Sequence, residues 1–487
     1  MQYLNPVDAA FLRMESKRTP MHVAGLLVFR LPDDAPENYL SELFNYMRSQ
    51  PVVNPPFNYR LAGGWLSGLA PRWEEATDID IEYHLRHSAL PHPGGERELG
   101  MLVSRLHSQP LDLEKPLWEC HLIEGLENRR FAIYWKTHHA AVDGMSALKL
   151  INAWLSKDAQ SKTSAGPWAL TPRPKKQRSL GQAPPHNMLR YGALFARENL
   201  RGTVELANSM RGMMRTKANP KGSIGAPSDT PRTLFNMHIT PHRRLATQLF
   251  DLARVKALTA KTGCTVNDVC LAISGDALRR YLLEYNALPE KPLVASVPVG
   301  LPRPDGQSGN RVAGFVCPLG TNLSDPLARL QHIHEVTTDT KKRMKELSDT
   351  ALMQFSLLGI SPLLMGQMSG LLTRLPPLFN LTVSNVMASP EPQYFHGAEM
   401  EAVYPMSVLF DGHTLNVTVV GYAGKLSFGV TGCRDTSPNL QKLAVYAGEA
   451  LDDLEAAITK HERSSKGRKV ASKRKQQPSN KSPQGKS

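Results

Sequence analysis

The string His138-His139-Ala140-Ala141-Val142-Asp143-Gly144 gathers the side chains of this sequence best suited to moving a proton. An imidazole titrates near neutral pH, so a histidine at a strand end can act as a general base. A carboxylate four residues on can fix its tautomer or hold the loop. Two purely structural histidines are an equally open reading of the pair. A metal site would need further ligands, and the five cysteines (Cys120, Cys264, Cys270, Cys317, Cys433) are scattered without a CxxC pair, which argues against zinc. They read as buried thiols in a reducing compartment. His332 and His334 fall on a surface-helix pattern and receive no role.

The elements that must position these residues can be read from periodicity. Residues 22–30 form an expected strand, and 121–126 with 131–136 an expected hairpin around Glu127-Asn128-Arg129-Arg130. The histidines thus end a strand. Gly144 lets the chain turn, and Ala147, Leu148, Ile151, Trp154 and Leu155 then share one face of a helix over 144–156. Further on, 251–262 and 266–285 read as helices, and 415–422 and 425–431 as strands joined at Ala423-Gly424.

At 487 residues, with 41% hydrophobic and 21% charged side chains, the chain is long enough for two large lobes and too apolar to be disordered throughout. Its net charge of +14 is unevenly placed. From Arg463 to the end there are nine Lys/Arg and no acid, and residues 157–221 hold thirteen Lys/Arg against three acids, so the rest is net acidic. That distribution points to an anionic surface as partner. Residues 188–215 fit one helix with Arg190, Arg197, Arg201, Arg211 and Arg215 within an arc of roughly 80°. Such a helix could pack on its own protein or lie on a membrane. The expected division is an N-terminal lobe (1–157), a basic helical linker (158–231), a C-terminal lobe (232–462) and a disordered basic tail (463–487).

Residues 1–15 carry Asp8, Arg13 and Glu15 and no continuous apolar block, so no signal peptide is expected. The uncharged stretch 351–373 is long enough to span a bilayer but is broken by Gln, Ser, Pro and Gly. It reads either as a buried helix pair broken at Ser361-Pro362, or as the wall of an apolar tunnel with Gly359, Gly366 and Gly370 at its recesses.

The spacing HHxxxDG resembles the signature of CoA-dependent acyltransferases related to chloramphenicol acetyltransferase, a superfamily that includes nonribosomal peptide condensation domains. From about Asn5 to His461 the chain resembles bacterial wax ester synthase/acyl-CoA:diacylglycerol acyltransferases. The supporting pieces are Asn5-Pro6-Val7-Asp8 with Phe11, Met21-His22-Val23, Pro110-Leu111-Asp112 and Pro116-Leu117-Trp118-Glu119. Later come Thr265-Val266-Asn267-Asp268-Val269, Gly309-Asn310, Asn380, Ser384-Asn385-Val386 and Tyr404-Pro405. The family continues Ser-Asn-Val with Pro-Gly-Pro, whereas this chain has Met387-Ala388-Ser389-Pro390.

The resemblance implies an α/β fold of two chloramphenicol acetyltransferase-like lobes, mixed sheets with flanking helices, and one active site between them. It implies acyl-CoA as co-substrate, a long-chain alcohol or diacylglycerol as acceptor, and no bound cofactor or metal. His139 would be the general base, His138 structural and Asp143 a loop holder. Asn267 or the pair Ser384-Asn385 would supply the oxyanion donor, against their reading as helix-start or turn residues. The expected setting is cytoplasmic, on the inner membrane face or a lipid inclusion. Nucleic acid is not expected, since the basic stretches carry no reading module. The competing functions are a condensation-type transferase using carrier-bound acyl groups and a non-catalytic basic membrane binder.

Overall fold

In the computed structural model the described residues are 2–4, 6–63, 71–161, 163–171, 230–300, 312–346, 363, 366, 367 and 369–475. The expected helix over 188–215 lies outside them.

The N-terminal lobe begins with β1 (Gln2–Tyr3), α1 (Pro6–Met14) and β2 (His22–Arg30), whose sequence HVAGLLVFR is buried on both faces as a central strand requires. It continues through α2 (Tyr39–Ser49), β3 (Tyr59–Leu61), β4 (Arg72–Glu75), α3 (Ile81–His84), β5 (Leu85–Ala89) and α4 (Glu96–Ser108). The hairpin of β6 (Trp118–Leu126) and β7 (Arg130–His138) follows, then α5 (Gly144–Trp154). The C-terminal lobe holds β8 (Arg243–Asp251), α6 (Leu252–Thr262), α7 (Val266–Glu284), β9 (Val294–Gly300), β10 (Val312–Pro318), α8 (Pro326–Lys345) and β11 (Leu381–Met387). After it come β12 (Tyr394–Phe395), β13 (Ala398–Met406), β14 (Leu415–Tyr422), β15 (Lys425–Cys433) and α9 (Lys442–Lys475).

Two six-stranded sheets organise the molecule, in the orders β12-β13-β2-β7-β6-β5 and β10-β9-β11-β14-β15-β8. The first corrects the expected division, because β12 and β13 belong by sequence to the C-terminal lobe yet complete the N-terminal sheet. β13 pairs antiparallel with β2 from Glu399↔Arg30 to Met406↔Ala24, covering an edge that is apolar on both faces. Such a pairing rests on tertiary burial and leaves no mark in local periodicity.

In the second sheet β11 runs parallel to both β9 and β14. Helix α7 is buried from Asp268 to Leu278, the pattern of a central helix, and packs between the sheet, α8 and α9. Where the lobes meet, α4 closes the free edge of β8: Ser108 Oγ and Ser104 Oγ accept from the backbone N–H groups of Arg243 (2.8 Å) and Leu245 (3.1 Å). On the neighbouring strand a Cβ on Gly429 would lie 2.3 Å from the Pro405 carbonyl oxygen of β13, so only glycine admits this contact between the sheets.

Two more expectations change. Helix α9 runs on through Lys475, so the tail expected to be disordered from residue 463 starts as helix. Extending a formed helix needs no new nucleus, and Lys, Arg and Ala are good helix formers. Among the described residues no helix is long and apolar enough to cross a membrane.

Candidate active site

β7 delivers the histidine pair. Its last residue, His138, pairs with His22 of β2 and donates its N–H to the Leu117 carbonyl (3.0 Å), while the next N–H, that of His139, donates to the Met21 carbonyl (2.8 Å). The chain then turns, with Ala141 N and Val142 N donating to the His138 carbonyl at 2.9 and 3.1 Å. His138 Nδ1 accepts from the Ala140 N–H (3.0 Å), which places its proton on Nε2, 3.4 Å from Glu15 Oε2. Glu15 Oε2 also accepts from the Met21 N–H. One carboxylate therefore steadies both supports of the loop, Met21 on one side and the His138 ring on the other. The His138 ring is thus held between the Ala140 N–H and the Glu15 carboxylate.

The His139 ring stacks on Phe11 of α1, with centroids 4.1 Å apart and planes 18° from parallel. Burial pushes its pKa down to about 4; the Asp143 charge works the other way and His138 adds slightly to the lowering. At neutral pH the ring is an uncharged base. Its Nδ1 finds no partner on another described residue, and the residue's own carbonyl oxygen raises its basicity. Asp143 is the N-cap of α5, its side chain accepting from the Ser146 N–H at 2.7 Å.

The stretch Pro116-Leu117-Trp118-Glu119 packs beneath the pair. The Leu117 carbonyl takes the His138 N–H and the Thr137 hydroxyl, and Trp118 stacks on Trp168 and His84. Glu119 lies 3.0 Å from Lys136 Nζ, and Lys136 is completely buried, its ammonium also donating to the Leu106 and Gln109 carbonyls at the end of α4. Burial works against the Glu119 charge, but His121 and Lys136 bring its pKa down to about 2.

The remaining candidates separate. Asn267 sits half-buried in the first turn of α7, between the reciprocal caps of Thr265 and Asp268. Asn385 turns toward α7, its Nδ2 3.8 Å from Cys270 Sγ and its Oδ1 unpartnered. Ser384, one residue earlier, lies on the opposite face with Thr418, its pairing partner, and Val386, which packs on the N-terminal core. Among the described residues no hydrogen bond joins any of the three to His139.

The tunnel reading also loses a position. A Cβ on Gly366 would meet Leu372 Cδ1 at 2.7 Å, so that space is already filled by packing and is no recess. Gly370 turns with φ +69° and open space beside it, and Gly359 lies outside the described residues. His334 does have a role, since its Nδ1 lies 2.8 Å from Oδ2 of fully buried Asp268, which also accepts from Thr337 Oγ1 (2.7 Å). All five cysteines are buried, and burial pushes the thiols of Cys270 and Cys317 up to about 12. Among the described residues no cluster of three or more His, Cys, Asp or Glu is placed to hold a metal ion.

Sequence reasoning missed Glu15. The signal was available: Phe11 and Glu15 are four residues apart, the spacing that puts two side chains on one side of a helix end.

Comparison with known proteins identifies the family. Residues 4–270 match the wax ester synthase/diacylglycerol acyltransferase catalytic domain, and 308–455 the C-terminal domain of the same family. A Mycobacterium tuberculosis protein assigned the name diacylglycerol O-acyltransferase is 44% identical over 459 residues, 94% of this chain and 99% of its own. The solved wax ester synthase/diacylglycerol acyltransferase from Marinobacter aquaeolei VT8 superposes with a TM-score of 0.76 at 34% identity, covering 94% of this chain and all of that one. The first condensation domain of the CDA synthetase shares the fold, at a TM-score of 0.54 and 16% identity over 94% of this chain and 96% of its own. With both family models met in order along one chain and that likeness running nearly end to end, the protein belongs to the wax ester synthase/diacylglycerol acyltransferase family and is an O-acyltransferase.

Proposed function

We propose that the enzyme moves a fatty acyl group from acyl-CoA to a long-chain alcohol, giving a wax ester, or to diacylglycerol, giving triacylglycerol, with His139 as general base. The observation that carries this is the uncharged His139 ring, buried and stacked on Phe11, with Nε2 taken as the nitrogen that accepts the proton. An alcohol attacks a thioester efficiently only if its proton leaves as the C–O bond forms. Nε2 accepts that proton, the tetrahedral intermediate collapses with cleavage of the C–S bond, and the imidazolium returns the proton to the CoA thiolate. The low basicity of the buried ring favours the return step. No acyl-enzyme is needed, in keeping with five buried cysteines.

Asp143 and Glu15 hold the loop, and Ser384, on the sheet face turned to the N-terminal lobe, is the better placed of the oxyanion candidates. The acceptor is a lipid, so the enzyme works on the cytoplasmic membrane face or on a lipid inclusion. The basic linker and tail draw it to anionic headgroups, and nucleic acid is not a partner. The test is purified protein with labelled acyl-CoA and a panel of alcohols and diacylglycerol, following release of free CoA. Turnover with none of these acceptors would overturn the reading.

A further inference from the structure

We infer that the exposed tip around Leu371–Leu375, together with Met237 and its neighbouring arginines, is the surface by which the enzyme docks on an anionic lipid layer. Three large apolar side chains stand out of the protein here: Met237 at 52% exposure, Leu371 at 44% and Leu375 at 48%. They form one patch, because Arg232 donates to the Thr373 and Leu375 carbonyls, Thr373 Oγ1 lies 2.7 Å from His238 Nε2, and the Met237 carbonyl accepts from Gly412 N (2.9 Å). Behind Leu375 a cavity of about 70 Å³, lined largely by leucine and proline, backs the patch.

The charge around it selects the occupant. Arg232 and Arg374 are exposed, and among the described residues no carboxylate pairs with either, the Arg232 guanidinium meeting only main-chain carbonyls. The nearby acid, Asp411, is 3% exposed and already taken by Arg18 (2.7 Å) and the Ile239 N–H. An apolar tip flanked by two exposed arginines, with no carboxylate of the described residues paired to either, matches a membrane surface, whose headgroups meet the cations while its hydrocarbon receives Leu and Met.

Its position ties it to the reaction. Phe410, next to Asp411, packs in the same small cluster as Phe11, Met14 and Met21, and Phe11 is the ring stacked on His139. The patch thus lies beside the seam through which a bilayer-borne acceptor would approach the base. This inference rests on the reading that the acceptor is a lipid.

The five native cysteines are buried, so a Leu371→Cys variant of the full chain can be labelled selectively with an environment-sensitive fluorophore. Phosphatidylcholine vesicles containing phosphatidylglycerol should shift its emission to the blue, and an added Arg374→Glu change should weaken that response at least several-fold. No shift at any lipid composition overturns the proposal. Emission already blue before vesicles are added overturns it too, since the patch would then be covered by the chain itself. CoA release from a short, water-soluble alcohol, run on the same samples, reports separately on the acyl-transfer reading. Leu371→Asp should leave that rate and the melting temperature unchanged while cutting turnover of vesicle-borne acceptor about tenfold.

Discussion

Asp143 can be replaced in two ways that divide its work. Its carboxylate caps α5 by accepting from the Ser146 N–H at 2.7 Å, with the extended backbone of an N-cap. Its charge also favours the protonated form of His139. Asparagine keeps an acceptor in the same place and removes the charge, whereas alanine removes both. Loss of an N-cap costs about 1 kcal/mol, which for a lobe of this size lowers the melting temperature by roughly 2–4 °C. Removing the charge lowers the His139 pKa further below its present value of about 4, so the base is still neutral at pH 7. The base is somewhat weaker, and because rate follows basicity only fractionally the loss should stay under about tenfold. Asp143→Asn should therefore melt with wild type and keep most of its turnover, while Asp143→Ala loses stability and somewhat more rate. The measurements are differential scanning calorimetry and continuous detection of the freed CoA thiol. If Asp143→Asn lost the 10²-fold to 10⁴-fold typical of a missing base while melting normally, the carboxylate would be relaying a proton and the capping account would be wrong.

His139→Ala should lower kcat by about 10² to 10⁴ with acyl-CoA binding and melting temperature nearly unchanged, as measured by turnover and by titration with a non-transferable CoA thioether. Glu15→Ala should lower both kcat and melting temperature, because it frees Met21 and the His138 ring together, and Glu15→Gln, which can still accept from Met21, should recover part of each loss. Stability should fall in mild acid: burial holds His139 and His413 down at about 4 and His107 at about 3, so the unfolded chain binds their protons first. Their contribution is complete above about pH 6.5 and is lost as pH drops toward 4, with each tenfold loss of proton affinity on folding worth about 1.4 kcal/mol, which urea unfolding at pH 7, 6 and 5 measures. A flat response over that window would mean that these rings take up protons as readily in the fold as in the unfolded chain. Lys136→Met should cost several kcal/mol because it strands Glu119, and adding Glu119→Gln should recover much of it, as seen by chemical denaturation.

The reactive loop was legible in the sequence because its geometry is local. A run of apolar strand residues leads to His138, an aspartate stands where α5 needs a cap, and the apolar residues then switch to helical spacing. The same holds for the β6–β7 hairpin and for α6, α7, β14 and β15, which lie within a few residues of their expected bounds. What was not legible depends on partners far away in sequence. β13 looks like any strand of its own lobe until β2 offers it an edge, and Glu15 gains meaning only when the strand brings His138 beside it. Gly366 fits a recess equally well by residue type, and only the Leu372 side chain lying against it decides otherwise.

The pairing of β13 with β2 sets the order in which the protein can be made. Arg30 and its partner Glu401 are 371 positions apart, so at 5–20 residues per second the ribosome needs roughly 20–75 s after producing β2 before its neighbour exists. Throughout that time the nascent N-terminal half presents a bare, apolar strand edge, the kind of surface that recruits other chains. The first lobe cannot be a finished folding unit that waits for the second, and a gene cut between them should yield an aggregating fragment on one side and a strand without a sheet on the other.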